Sequence, residues 1–298
     1  MDARSTLAPP AGLAATGAAV LAYAGLVERN LFRLRRFDVP VLAPGSPPLR
    51  VLHLSDLHLR AAQSRKREWI RRLDRLDPAF VAVSGDFLAG PDTVGPVLAA
   101  LEPLLDRPGA FVPGNNDYYA PRPKNPLRYF VPERQPKFGT PLPWADLAEA
   151  LVAAGWMDVT HRRASVKADD RTIAIAGTDD PHLRRDRYRT VAGPADGAAD
   201  VRIGLTHSPE PRVLSAFAAD SYDLVLAGHT HGGQIRIPGL GPVVTNCGID
   251  RPRARWLHRW DAETWLHVSA GLGTSPFAPV RFACPPEATL LTLVGRLR

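Results

Sequence analysis

The chain has 298 residues, 45% of them apolar, which is enough for one large α/β domain or two small ones, and it shows no 20–50-residue repeat of the kind that builds solenoids. Its net charge of +7 and pI of about 9.8 favour anionic partners such as phosphates or an anionic membrane face. Two cysteines, Cys247 and Cys284, exclude a disulfide framework and fit a reducing compartment.

Residues Leu7 to Val27 carry no charge. A run of this length can cross a bilayer. Arg29, Arg33, Arg35 and Arg36 follow it, against Arg4 before it, so a spanning helix would leave the C-terminal side in the cytoplasm. No cleavage site of export type follows the run. Residues 1–37 therefore read as a membrane-attaching helix, with a soluble helix packed on a cytoplasmic domain as the alternative. Residues 38–48 read as a Pro-rich linker, and residues 49–298 as the folded domain.

Val51 to Leu54 is a short buried strand ending at Ser55-Asp56. Residues 62–76 form a helix with a dense basic face. Phe80 to Val83 is a second strand, ending at Ser84-Gly85-Asp86. A helix over 92–105 stops at Pro108-Gly109. Ala110 to Val112 is a third strand, ending at the Gly114-Asn115 turn. This rhythm is that of a largely parallel, buried sheet. Residues 121–143 break it with seven prolines and five basic residues, and read as a functional lid. After a helix over 144–154 the chain becomes richer in strands: Thr172 to Ala176, Val201 to Leu205, Leu224 to Ala227, Leu266 to Ser269 and Thr289 to Val294. Gly232-Gly233 opens a hairpin-like run, Gln234 to Ile237. Two packed sheets with helices outside accommodate all of these.

Five motifs each follow one of these strands: Asp56-Leu57-His58, Gly85-Asp86, Gly114-Asn115-Asn116-Asp117, His207 and Gly228-His229-Thr230-His231. Each is weak alone, and the ordered set is specific. Hydrolysis of a phosphate ester needs a nucleophile, charge neutralisation and in-line geometry. Two metal ions about 3.5–4 Å apart supply all three by holding a hydroxide between them. Such a pair needs one bridging carboxylate, and Asp86 is the natural bridge. Asp56 and His58 are two apart, as are His229 and His231, so each pair can share a face of an extended strand. Asn115 offers a neutral oxygen. No G-x-S-x-G occurs, which excludes that class of serine hydrolase.

The ordered set resembles the calcineurin-like metallophosphoesterase superfamily, and within it the small, membrane-associated bacterial phosphoesterase and phosphodiesterase branch. The likeness runs from about Leu49 onward and includes Gly271-Leu272-Gly273-Thr274-Ser275-Pro276, Arg281-Phe282 and Pro285-Pro286-Glu287. It implies a four-layer α-β-β-α sandwich of two mixed sheets. It assigns Asp56, His58, Asp86 and His231 to one metal, and Asp86, Asn115, His207 and His229 to the other. Manganese, iron and zinc all suit these ligands. The family usually carries histidine after the motif asparagine, where it serves the leaving oxygen and the following acid orients it. Here Asn116 stands in that place before Asp117, and these two are the expected catalytic pair. An amide cannot deliver a proton. The expected substrates are therefore phosphodiesters or phosphoanhydrides whose leaving group needs little protonation, with His182 as a substitute acid. A phosphorylated small molecule or a lipid head group is the expected partner. A tethered, non-catalytic binding protein is the alternative, and a metal-dependent nuclease the second. Nucleic acid is not expected, because no module or aromatic–basic platform for it is present.

Overall fold

A computed structural model describes residues 10–123, 138–274 and 277–296. Helix α1 (Pro10–Ala22) leads through a π-helical turn, Tyr23–Val27, and a short 3-10 turn, Glu28–Asn30, into strand β1 (Arg33–Leu42). Strands β2 (Leu49–Leu54), β3 (Phe80–Val83) and β4 (Gly109–Phe111) alternate with α2 (Ser64–Arg71) and α3 (Val94–Leu101). The four-residue α4 (Asn115–Tyr118) and then α5 (Trp144–Ala153) precede β5 (Met157–Asp158), β6 (Arg162–Ala168), β7 (Arg171–Gly177) and β8 (Val201–Leu205). Next come α6 (Pro211–Ala219), β9 (Leu224–Ala227), a small hairpin of β10 (Arg236–Ile237) and β11 (Gly241–Pro242), then β12 (Trp256–Arg259), β13 (Trp265–Val268) and β14 (Glu287–Gly295).

Two six-stranded mixed sheets result, in the orders β1-β14-β2-β3-β4-β5 and β12-β13-β9-β8-β7-β6. The strands are apolar on both faces because each sheet is covered twice. Alternation along them sorts side chains between cores. Val51, Phe80 and Ala82 face Ile173, Ile203, Leu224 and Leu226 in the core between the sheets. Leu52, Leu54, Val81 and Val83 meet Ile70, Val97 and Leu147 of the helices on one outer face. Val225, Leu266 and Val268 meet Leu214 and Phe217 of α6 on the other. The architecture is thus the four-layer α-β-β-α sandwich.

The structure corrects the N-terminal boundary. Residues 38–42, expected as linker, continue a ten-residue strand that runs parallel to β14 from Arg33 opposite Glu287 to Leu42 opposite Gly295. The strand lies at the sheet edge, where Pro40 costs no internal ladder bond. Among the described residues, no helix is long and apolar enough to cross a membrane. Most of the expected lid, residues 124–137, lies outside the described residues. Its flanks are pinned together, with Ala120 N–H donating to Thr140 O at 2.8 Å.

Candidate metal centre

All five motifs sit just past the C-terminal ends of β2, β3, β4, β8 and β9. These ends open on one rim, where α/β folds place ligands. Strand alternation is not what aims the side chains, however. Asp56, His58, Asp86, His229 and His231 all take left-handed backbone conformations, with φ of 50°, 38°, 57°, 66° and 49°. Each such residue costs on the order of 1–3 kcal/mol and persists only where its surroundings fix it. The i, i+2 spacing therefore works through two tight loops. Motif glycines make room for them. A Cβ on Gly114 would run into the Asp86 carboxylate, and one on Gly228 into Ser55 and Asp56.

Ligating atoms of Asp56, His58, Asp86 and His231 lie within 4.8 Å of one another. His58 Nε2 is 3.3 Å from Asp86 Oδ2 and 3.3 Å from His231 Nε2, and His231 Nε2 is 3.5 Å from Asp56 Oδ1. On the other side of Asp86, His207 Nε2 approaches Oδ2 at 3.4 Å and His229 Nδ1 at 3.3 Å. Asn115 Oδ1 is buried there without a hydrogen-bond partner among the described residues. The structure thus brings together all seven residues singled out as ligands.

Backbone carbonyls show which imidazole nitrogens stay open. His207 Nδ1 donates to Ser84 O at 2.6 Å, His229 Nε2 to Asn246 O at 3.2 Å, and His231 Nδ1 to Gly273 O at 3.2 Å. A carbonyl can only accept, so these bonds favour a proton on the nitrogen that faces it, although His231 Nδ1 also lies 3.4 Å from the Arg281 guanidinium, which can only donate. His207 Nε2, His229 Nδ1 and His231 Nε2 then turn toward two carboxylates, and in the neutral rings each of these nitrogens presents a lone pair. That arrangement calls for cations, and the ligand set fits them. Burial holds His229 and His231 well below the ordinary imidazole pKa and His58 at about 4, so they stay neutral and ready to bind a metal. Burial opposes a charge on His207 as well, but the Asp86 carboxylate beside it outweighs burial and holds its pKa well above normal. Without metal, a proton there supplies the positive charge. Burial also lifts Asp56 to about 6.

The expected catalytic pair has other partners. Asp117 is fully buried, and its carboxylate accepts from four backbone N–H groups, those of Asp86, Gly114, Phe87 and Leu88, at 2.8–3.0 Å. It holds the Asp86 loop in place and has no oxygen left for a reacting group. Asn116 donates twice to Asp86, from its backbone N–H and from Nδ2, both at 2.8 Å. His182 lines the same cavity, its ring 4.5 Å from that of His229.

Two residues with no role legible in the sequence complete the support. Arg281 is wholly buried. Its guanidinium donates to Gly273 O, Ala270 O, Gly271 O and Cys284 O at 2.6–3.2 Å, and so clamps the loop that receives His231 Nδ1. That loop also grips the Asp56 motif, with Leu272 N–H on Ser55 O and Gly273 N–H on Asp56 O. Glu28, buried between α1 and the domain, accepts from Ala283 N–H at 3.1 Å and Cys284 N–H at 2.6 Å. Lysine cannot reproduce a planar five-donor fork. Arg281→Lys is therefore expected to keep the fold and weaken metal binding about 10–100-fold in a calorimetric titration with Mn²⁺. Unchanged affinity would remove this role.

The site and fold define a metal-dependent phosphoesterase with a two-metal centre. A family model for calcineurin-like phosphoesterases matches residues 49–233, and the chain belongs to that family. It is 29% identical to the uncharacterised protein YpbG of Bacillus subtilis, over 84% of this chain and 83% of that one. It is 24% identical to phosphodiesterase YaeI of Escherichia coli, over 91% and 92%. It is 26% identical to UDP-2,3-diacylglucosamine pyrophosphatase LpxG of Chlamydia trachomatis, over 90% and 91%.

Proposed function

We propose that the chain hydrolyses a phosphodiester or a phosphoanhydride at this centre. The convergence of four imidazole rings on Asp56 and Asp86, at the floor of a cavity of about 580 Å³, carries the reading. Asp56, His58, Asp86 and His231 would hold one ion, and Asp86, Asn115, His207 and His229 the other, as manganese, iron or zinc. Such ions supply Lewis acidity and an activated water. Asn116 orients Asp86 through its two donors and has no proton to give. The reading therefore favours leaving groups that depart as stable anions, with His182 the side chain placed to assist poorer ones. The names of YaeI and LpxG, a phosphodiesterase and a diphosphate hydrolase, are consistent with it.

The test strips the full chain of metal, restores Mn²⁺, and compares an aryl phosphodiester, an aryl phosphomonoester and a nucleoside diphosphate. Metal-dependent turnover of the diester or diphosphate is the expected result. Two bound metals without turnover would favour a tethered binding protein instead. Asn116→His is expected to raise turnover of alkyl esters over aryl esters by roughly 10²-fold, the lower range for general acid catalysis. An equal effect on both would remove the leaving-group argument. For location, we propose that the apolar N-terminal helix attaches the chain to a membrane with the domain on the cytoplasmic side, supported by the basic residues that follow it.

A further inference from the structure

The cavity above the metal centre has two unlike halves. Its floor is polar: His58, Asp86, Asn115, Asn116, His229 and His231. Its other wall comes from three loop segments, and its principal side chains are Ile235, Val243, Val244, Phe277 and Val280. Gln234, Thr245 and Asn246 are the polar side chains among those segments, which hold no acid and no base. Among the described residues lining the cavity, the one Arg or Lys is Arg122, on another segment, and there is no Tyr or Trp. A nucleoside needs stacking surfaces and paired polar groups, and a polyphosphate tail needs cations. This wall carries no charge and one aromatic ring, Phe277, and its mostly aliphatic surface suits a hydrocarbon group.

The back of that wall is the seat of the N-terminal helix. Arg281 N–H donates to Ala24 O at 3.1 Å, and Arg29 donates to Pro279 O at 3.3 Å. A Cβ placed on Gly25 would meet Val280 Cγ1 at 3.8 Å. On the other side of the same segment, Phe282 exchanges backbone bonds with Gln234 and Arg236, which lead into the β10–β11 hairpin. Leu21 and Leu26 of the helical segment are 65% and 69% exposed, and Leu240 at the hairpin tip is 76% exposed. Large apolar side chains are thus offered to the surroundings on both flanks of the wall. Exposed apolar patches of this kind mark interaction surfaces.

We infer that the substrate is an amphiphile drawn from a lipid surface, its phosphate held over the metal centre and its hydrocarbon chain lying against Ile235, Val243, Val244 and Val280. The inference rests on the phosphoesterase reading and adds the substrate class. In the step, water oxygen bonds to phosphorus, the bond to the leaving oxygen breaks, and that oxygen departs with the electron pair. The water's protons pass to solvent. An alkyl phosphate remains against the wall.

The experiment uses the full chain with Mn²⁺ and three diesters, methyl, butyl and octyl p-nitrophenyl phosphate, below the concentration at which the octyl ester aggregates. A buried methylene strengthens binding on the order of threefold. KM is expected to fall at least tenfold from methyl to butyl and again toward octyl. Val280→Asp is expected to flatten that dependence, read as the ratio of methyl to octyl KM, with a melting curve to show that the variant is folded. Metal-dependent turnover with a KM independent of chain length would overturn the inference and leave the phosphoesterase reading standing. A folded Val280→Asp that keeps the full chain-length ratio would overturn the assigned wall. No turnover of any ester, with metal bound, would remove the reading beneath it.

Discussion

Asp86→Ala brings hydrolysis to background, a loss on the order of 10³-fold or more, and takes both metal positions with it. The size follows from how much meets at one carboxylate. His58 and His207 both approach Asp86 Oδ2, at 3.3 and 3.4 Å, and Asn116 donates to both oxygens. Removing the shared anion leaves each ion short of a ligand and its charge uncompensated. One lost electrostatic contact at a transition state costs about 10²–10³-fold, and a lost bridge removes more than one. The fold is expected to survive, because in the metal-free chain this carboxylate is a buried charge and not a packing element. Metal content by elemental analysis is expected to fall below one ion per chain, and turnover with Mn²⁺ to vanish. Unchanged metal content and rate would remove Asp86 from the bridge.

The second large effect concerns the N-terminus. A chain starting at residue 38 is expected to lose its single sharp melting transition and its metal. The cut divides β1, whose first five residues pair with β14 from Glu287 to Leu291. It also removes Glu28 and Ala24, so the backbone N–H groups of Ala283, Cys284 and Arg281 lose their acceptors. Each polar group left unpaired away from water costs about 1–3 kcal/mol. The sum is a large share of a typical domain stability of about 5–15 kcal/mol. The damage falls on the segment from which Arg281 clamps the His231 loop. A chain starting at Tyr23 keeps all of these bonds, and is expected to melt as the full chain does and to bind metal. A chain from residue 38 with full metal content would show that the N-terminal segment is only an appendage.

These two predictions also show what was legible in the residues. The motif chemistry was, because Asp, Asn and His after apolar runs is a local pattern, and each run became the strand expected within a residue or two. The aim of those side chains was not. It depends on left-handed turns whose room comes from glycines on other loops. β1 was hidden by Arg33, Arg35, Arg36 and Pro40, which an exposed edge strand tolerates and a central one does not. β6 and β12, missed for the same reason, are also edge strands. Arg281 and Glu28 act on backbone groups, and Glu28 reaches across 255 residues, so no spacing rule reveals them. The N-terminal run was read by length and lack of charge. Its polar end, Glu28, was the residue that tied it to the domain.

The position of β14 has a consequence for how the molecule is made. This strand is synthesised last among those of the described residues, yet it lies between β1 and β2 in the first sheet. While the chain grows from its N-terminus, β1 has no partner and β2 has an open edge. Residues paired across this seam, such as Arg35 and Glu287, stand 252 apart in sequence. Closing a loop of that size costs entropy before any contact repays it, and folds dominated by such contacts form slowly. The β2-β3-β4 ladder can assemble on the ribosome, but Ala270 N–H and Gly271 O near the His231 clamp await Glu287, which accepts from the first and donates to the second. A nascent chain halted before Glu287 would therefore carry every ligand and still lack the frame that holds them.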